Sequence, residues 1–112
     1  MQAEKVINAL SFDVEDYFHV SNFESFVSFD DWGNFESRVE RNTRKILEIL
    51  AENSVMATFF VLGWVAERFP QLVREIADAG HEVGTHSYRH RLIYTLTPEQ
   101  FREDLRQSID VV

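Results

Sequence analysis

The chain has 112 residues, 45% of them hydrophobic, which suits one domain or part of one and is too apolar for a disordered chain. Its formal charge of −8 at pH 7 argues against a nucleic-acid partner and against a basic membrane-surface protein. Because the sequence has no cysteine, disulfides and thiolate metal sites are excluded, and any bound metal must use histidine, aspartate or glutamate.

The start of the chain shows no targeting signal. "MQAEK", residues 1–5, is followed by no long apolar run, which argues against a signal peptide. No stretch approaches the length of a transmembrane helix. We therefore expect a cytoplasmic protein without membrane insertion, and the composition indicates no particular oligomeric state.

The first predicted element is the apolar run "VINALSF", residues 6–12, which is typical of a buried strand. The stretch 17–35 is aromatic-rich and aperiodic, and it predicts a long ordered loop. Such a loop either belongs to a binding site or closes one end of the core with its aromatic side chains, and the sequence does not separate these alternatives.

Two helices and a strand are predicted next. The segment 36–53 is helical, with one face formed by Val39, Thr43, Ile46, Leu47 and Leu50. Residues 57–62, "ATFFVL", read as a β-branched and aromatic strand that ends at Gly63. Pro70 suits the first turn of a second helix, and Gly80 fits its C-terminal stop. The apolar side of that helix comprises Leu72, Val73, Ile76 and Ala77.

The last predicted elements are a short strand over 82–85, a loop, and a third helix. Thr97 is a candidate N-cap, Pro98 suits the first helical position, and Gln100 is placed to close a capping box. The helix then continues at the spacing of Phe101, Leu105, Ser108, Ile109 and Val112.

The predicted order of elements is β-α-β-α-β-α, which indicates α/β architecture with parallel strands and crossover helices. A parallel sheet must be covered on both faces or closed into a barrel, and three strands are too few to close one. The third helix also runs to the last residue without a stop signal. We therefore expect the chain to be the N-terminal part of a larger α/β domain.

Polar side chains gather where the first and third strands end. Asp13, Glu15 and Asp16 follow the first strand, and His86 and His90 follow the third. Because sites in parallel α/β folds form beyond the carboxyl ends of the strands, these groups are expected at one edge. Two histidines and a carboxylate make a three-ligand metal set with a position open for water. Asp13 and Glu15 point to the same side of an extended backbone, so one would bind metal while the other serves as a base.

The remaining histidines and arginines have plainer interpretations. "HSYRHR", residues 86–91, would also fit an ordinary polar surface. His81 is expected to cap the start of the third strand, and His19 to be a loop residue. Arg89 and Arg91 are expected to be solvated, with an anionic group as the alternative contact for either.

Three quoted segments together resemble the polysaccharide deacetylase family, also called the NodB-homology domain or carbohydrate esterase family 4. They are "SFDVEDYF", "ATFFVLGWVAERFPQLVREIADAGHEVGTHSYRH" and "LTPEQFREDL", and the resemblance covers nearly the whole chain. It is closest to the bacterial branch associated with exopolysaccharide biosynthesis. The resemblance implies a distorted (β/α) barrel and metal-dependent removal of N-acetyl groups from a polysaccharide or oligosaccharide substrate.

The resemblance also implies roles for individual residues. Asp13 matches the family's general base, and His86 and His90 match its metal-binding pair. The family commonly has two consecutive aspartates, whereas Val14 stands second here, so Glu15 is the nearest match to the carboxylate ligand and Asp16 is its rival. Zn²⁺ is the first choice for such a site, with Co²⁺, Fe²⁺ or Mn²⁺ as alternatives.

Three family motifs have no counterpart in this sequence: the Arg-x-Pro segment, a later aspartate-bearing segment and the C-terminal Leu-x-His acid. Residues 1–112 are thus expected to be the N-terminal portion of one deacetylase domain, truncated at the C-terminus. By itself such a chain is expected to be marginally stable and to lack measurable activity. The alternatives are an allantoinase-like small-molecule C–N hydrolase and a non-catalytic carbohydrate- or partner-binding fragment.

Overall fold

The structure is a computed structural model that describes residues 4–112, so the first residues of the stretch searched for a signal peptide lie outside it. The described part contains three strands and four α-helices. In chain order they are β1 (Ser11–Val14), α1 (Val39–Glu52), β2 (Thr58–Val61), α2 (Gly63–Arg68), α3 (Pro70–Asp78), β3 (Glu82–Thr85) and α4 (Pro98–Val111).

The three strands form one parallel sheet in the order β1-β2-β3. Phe59 and Val61 of β2 are fully buried in the core, which the apolar faces of α1 and α3 complete. The opposite face carries Phe60, which is 38% exposed and pairs in register with Asp13 of β1. The predicted parallel α/β arrangement with crossover helices is therefore confirmed, and the carboxyl ends of all three strands share one edge.

The predicted first strand is displaced along the chain. We expected it over residues 6–12, but β1 spans Ser11–Val14, and Val6 and Ile7 are 79% and 84% exposed. The register of the sheet sets the start of β1, because Ser11 is the first residue to pair with β2, opposite Thr58. An apolar run shows that burial would be favourable, but only the partner strand fixes where pairing begins.

The two predicted amphipathic helices are confirmed. In α1, Val39, Thr43 and Leu50 are buried, and Leu72 and Ile76 of α3 have no exposed surface. Pro70 is at the start of α3, and Gly80 follows its end with a φ of +92°, a conformation that glycine adopts without a side-chain clash.

The short helix α2 was not expected from the sequence, where Gly63 suggested only the end of a strand. Gly63 instead begins this helix, which buries Trp64, Val65 and Ala66. A side chain is not tolerated at this glycine, since an added Cβ would lie 2.7 Å from Cδ2 of Tyr88. The glycine therefore permits close packing of α2 against the turn that follows β3.

The predicted capping box of α4 is present. The side chain of Thr97 accepts a hydrogen bond from the backbone of Gln100, whose side chain accepts one from the backbone of Thr97. Of the predicted apolar face, Ser108 is buried while Phe101 and Ile109 remain 38% and 60% exposed. Within residues 4–112, no helix combines the length and the apolar character required to cross a membrane.

The aromatic stretch forms three short 3-10 helices, Tyr17–His19, Ser21–Phe23 and Phe29–Asn34. Phe18 and Trp32 are buried in the core, so the stretch does close one end of it. Phe26 by contrast is 85% exposed. The stretch also lines a cavity. It therefore closes one end of the core and also borders a candidate binding site.

Candidate metal centre

Two segments meet at the carboxyl edge of the sheet. The acidic stretch, residues 13–16, leaves β1, and the histidine turn, residues 86–90, follows β3. The strand pairing extends into the turn, because the backbone N–H of His86 donates to the carbonyl of Val61 in β2. The two segments are therefore fixed relative to one another by the sheet itself.

Glu15, His86 and His90 converge. One carboxylate oxygen of Glu15 lies 3.7 Å from Nε2 of His86, and the other lies 3.0 Å from Nε2 of His90. One potential ligand atom from each residue lies within 4.8 Å of the other two. The chemistry and the spacing of these three atoms suit a divalent ion with two imidazole ligands and one carboxylate ligand.

Unsatisfied polar atoms support this interpretation. Within residues 4–112, Oε2 of Glu15 and Nε2 of His86 are buried without a hydrogen-bond partner, although the Oε2 atom is close to His90. Buried polar atoms are rarely left unpaired in folded proteins, and each such atom requires an explanation. A bound cation would satisfy both, so the residues present fit a divalent metal.

The pKa values of Glu15 and His90 are shifted by this arrangement. Burial would raise the pKa of Glu15, but the neighbouring His86 and His90 outweigh it and lower that pKa to about 2. Contact with Glu15 in turn raises the pKa of His90 above its ordinary value, against the opposing effect of burial. The carboxylate is thus ionised at neutral pH, as a metal ligand must be.

Asp13 lies beside this cluster. Its Oδ2 atom is 3.8 Å from Nε2 of His86, and its side chain is 54% exposed. Asp13 and Glu15 therefore approach the same imidazole, as expected for two residues on the same side of an extended chain. Asp13 keeps a carboxylate accessible to solvent next to the three candidate ligands.

Asp16 is placed differently. Its side chain is buried, and its two oxygens accept hydrogen bonds from the hydroxyl of Ser37 at 2.6 Å and from the backbone N–H of Arg38 at 2.8 Å. Both oxygens are therefore engaged in joining the acidic stretch to the residues just before α1. The structure brings Glu15 to the histidines and does not bring Asp16 there.

The histidine turn has an unusual backbone. Ser87 and His90 have φ values of 62° and 57°, in the left-handed region that non-glycine residues seldom occupy. Asp104 of α4 stabilises this turn, because its carboxylate accepts from the backbone N–H of Tyr88 at 2.9 Å and of Arg89 at 3.1 Å. The hydroxyl of Ser87 also accepts from the backbone N–H of His90, at 3.1 Å.

The carbonyl of Ser87 joins the turn to two helices. It accepts hydrogen bonds from the N–H of Gly63 at 2.7 Å and from the hydroxyl of Ser108 at 3.1 Å. Sequence reasoning missed Gly63, Asp104 and Ser108 as supports of the site. A single aspartate on the polar side of a helix gives no sequence signal that it binds a turn 15 residues earlier.

The remaining histidines are buried structural groups. Nδ1 of His81 accepts from the backbone N–H of Ala57 at 3.0 Å, which agrees with its expected place at the start of β3. Nδ1 of His19 accepts from the backbone N–H of Asp16 at 2.8 Å. Burial lowers the pKa of His19 to about 4. His19 is thus a neutral support of the acidic stretch.

Comparison with known proteins decides the family. The sequence profile described as polysaccharide deacetylase matches residues 21–112. The chain belongs to the polysaccharide deacetylase family. The matched range contains the histidine turn and begins after the acidic stretch, so the assignment of Asp13, Glu15 and Asp16 rests on the geometry and on the resemblance of the first motif.

One relative and two solved structures illustrate the similarity of this deacetylase-family chain to known proteins in sequence and in fold. Peptidoglycan-N-acetylglucosamine deacetylase of Bacillus cereus is 35% identical over 89 residues, which are 80% of this chain and 30% of the relative. A crystal structure of a peptidoglycan N-acetylglucosamine deacetylase gives a TM-score of 0.66 at 31% identity, over 92% of this chain and 38% of that one. A CE4-family pseudoenzyme from Bacillus anthracis gives a TM-score of 0.66 at 29% identity, over 92% and 29%.

These matches confirm the expected fold class, since the parallel strands and crossover helices coincide with part of solved deacetylase structures of the NodB type. The chain spans about a third of the length of the proteins that it matches. The activity of those complete proteins is therefore only proposed for this chain.

Proposed function

We propose that the domain built on this chain hydrolyses N-acetyl groups of amino sugars in a polysaccharide or oligosaccharide, using a divalent metal. The observation that carries the proposal is the convergence of Glu15, His86 and His90 beside the accessible carboxylate of Asp13. The name of the Bacillus cereus relative adds N-acetylglucosamine as the sugar to test first.

Glu15, His86 and His90 would hold the metal, and Zn²⁺ is our first choice for two imidazoles and a carboxylate. A divalent ion held by these residues would supply Lewis acidity, which would polarise the acetyl carbonyl and make a water molecule more acidic. The alternative ligand, Asp16, is less suited because Ser37 and Arg38 already engage both of its oxygens.

Asp13 is proposed as the general base. Its carboxylate is half-exposed, lies next to His86, and is therefore able to take a proton from the water that attacks the acetyl carbon. Protonation of the leaving amine requires an acid. We assign it to the later part of the family's domain, as the resemblance implies, and we propose on the same ground that residues 1–112 are the N-terminal portion of that domain.

The second candidate is a non-catalytic glycan-binding role. It is favoured by the TM-score of 0.66 with a CE4-family pseudoenzyme, which equals the value for a deacetylase. Likeness of fold therefore does not decide activity in this family, whereas site chemistry does. The exopolysaccharide-associated branch and the cytoplasmic location remain predictions.

The metal is tested by titration of the metal-free chain with Zn²⁺. Wild type is expected to bind one ion, and His86→Ala/His90→Ala is expected to lose measurable binding. The buried histidines His19 and His81 do not serve as matched controls, so the unfolding midpoint without metal must show that the double variant folds. Equal affinity in both proteins would remove the proposed site.

Catalysis is tested in a full-length form by acetate release from a chitooligosaccharide. Asp13→Asn is expected to retain Zn²⁺ affinity while turnover falls by about 10²–10⁴-fold, the range typical of a general base. Full turnover in Asp13→Asn would refute its role as the base. Metal binding and glycan binding without acetate release in wild type would favour the non-catalytic candidate.

A further inference from the structure

A second feature of this edge is a cavity of about 310 Å³ between the aromatic stretch and the histidine turn. The side chains that matter to its chemistry are His19, Phe29, Trp32, Arg89, His90 and Arg91. His90 also belongs to the candidate metal centre. A ligand in the cavity would therefore sit next to a group bound at that centre.

The cavity is positively charged in a strongly acidic protein. Arg89 and Arg91 line it, and among residues 4–112 neither forms an ion pair with a carboxylate. The guanidinium of Arg89 is held over the ring of Phe29, 4.5 Å from its centre. Of the described residues in the lining, Glu24 alone is acidic, so the two arginines leave an excess of one positive charge.

His19 adds a hydrogen-bond donor. Its Nδ1 atom accepts from the backbone of Asp16, so the ring proton of the neutral imidazole is on Nε2. That Nε2 atom has no hydrogen-bond partner among the residues that the structure describes, and the side chain is only 2% exposed. A buried N–H without an acceptor is unfavourable, and an anionic oxygen is the group that complements it best.

Aromatic rings also line the cavity. Trp32 and Phe29 lie 4.9 Å apart at an inclined angle, and both contribute to the lining. Aromatic faces suit the apolar faces of a sugar ring. The guanidinium of an arginine binds a planar carboxylate through two parallel hydrogen bonds. The volume is at the lower end for small-molecule sites, which fits a single ring.

We propose that this cavity binds a carboxylate-bearing sugar unit, of the uronic acid type, adjacent to the N-acetylated unit of an acidic glycan. The inference extends the proposed function by specifying an acidic glycan as the substrate. It rests on that function for the placement of the acidic sugar next to the N-acetylated sugar. Arg89 and Arg91 would bind the carboxylate, and the partly buried ring of Phe29 would contact the sugar.

The test measures binding directly, in metal-free protein, so that coordination of a carboxylate by metal does not contribute. Methyl glucuronide, methyl glucoside, acetate and inorganic phosphate are titrated by calorimetry into wild type, Arg89→Gln/Arg91→Gln and the control Arg102→Gln, an exposed arginine of α4. We expect the glucuronide to bind at least tenfold more tightly than the other three ligands. This preference should disappear in the double variant and persist in the control.

Equal binding of glucuronide and glucoside, or no binding of either, would overturn the proposal. Phosphate binding as tight as glucuronide binding would also overturn it, since the site would then select charge rather than an acidic sugar. These outcomes are separable from failure of the proposed function. Zn²⁺ affinity and acetate release from a neutral chitooligosaccharide test that function without involving the two arginines.

Discussion

The acidic stretch and the histidine turn deliver side chains to the same centre but are held by different parts of the chain. The acidic stretch is fixed by β1 pairing and by contacts of Asp16 with His19 and with Ser37 and Arg38, which lie just before α1. The histidine turn is instead held by two helices, through Gly63 of α2 and Asp104 of α4.

The comparison also shows what a carboxylate near a metal centre can do besides bind metal. Asp16 accepts the backbone N–H of Arg38, just before α1, and Asp104 accepts those of Tyr88 and Arg89 in the histidine turn. Neither joins the cluster of Glu15, His86 and His90. An acidic residue close to a candidate centre is therefore as consistent with a positioning role as with a ligand role.

The largest expected effect is on Zn²⁺ affinity, and it distinguishes the metal ligand of the acidic stretch from the residue that only positions the stretch. Glu15→Gln is expected to weaken Zn²⁺ binding by more than about 100-fold, because loss of a ligand should exceed the 10–100-fold cost of losing an outer-shell partner. Asp16→Asn should weaken binding less while lowering the free energy of unfolding, since its buried hydrogen bonds change.

Calorimetric titration and urea unfolding measure the two effects, with the exposed Glu103→Gln as the control. The reverse pattern, in which Asp16→Asn abolishes Zn²⁺ binding and Glu15→Gln does not, would make Asp16 the ligand.

The next effect concerns the packing of α2 against the histidine turn. Gly63→Ala places a Cβ 2.7 Å from Tyr88 and 3.0 Å from the backbone of Ser108, neither of which is a flexible side-chain end. We expect the free energy of unfolding to fall by about 1–3 kcal/mol, as for other overpacked sites. Gly33→Ala is the matched control, because its Cβ meets only the mobile end of Arg68 at 3.1 Å. Equal urea midpoints would show that the turn adjusts freely.

A smaller effect is expected at Asp104. Asp104→Asn keeps the size of the side chain but removes one of the two acceptors for the N–H groups of Tyr88 and Arg89. Zn²⁺ affinity should fall about tenfold, the low end of the 10–100-fold cost of losing a group that positions metal ligands. Glu103→Gln again serves as the control. An unchanged affinity with a lowered unfolding midpoint would assign Asp104 to stability alone.

The smallest effect is the pH dependence contributed by His19. Because burial lowers its pKa in the folded state to about 4 from an ordinary value of 6.5, the unfolded chain takes up a proton first on acidification. Stability from the neutral His19 is therefore complete above about pH 6.5 and is lost as pH falls towards 4.

Thermal unfolding of wild type and His19→Gln between pH 7 and pH 4 measures this contribution. The difference between their midpoints should narrow as pH falls. Two parallel curves would mean that His19 does not resist protonation in the folded state.

Much of this architecture was predictable because it depends on local signals. The apolar faces of α1 and α3, the proline and glycine around α3, and the capping box at Thr97 all follow from spacing and backbone preference. The meeting of the acidic stretch with His86 and His90 was also predicted, since parallel strands bring their carboxyl ends to one edge.

Other features depended on residues that are distant in sequence. The start of β1 was placed five residues too early, because Ser11 is where pairing with β2 begins. The helix at Gly63 was missed, because that glycine serves the close approach of Tyr88 and Ser108 rather than a strand end.

The sequence by itself therefore determined the order of the strands and of three of the four described α-helices, the helix boundaries with strong caps, and the set of residue types available to a metal. Only the tertiary structure chose Glu15 over Asp16 for the cluster and assigned Asp104 to the histidine turn. The physical reason is that adjacent carboxylates have the same intrinsic chemistry. Their roles are set by which N–H groups and imidazoles the folded chain places within hydrogen-bonding reach, and that placement arises from packing between segments far apart in sequence.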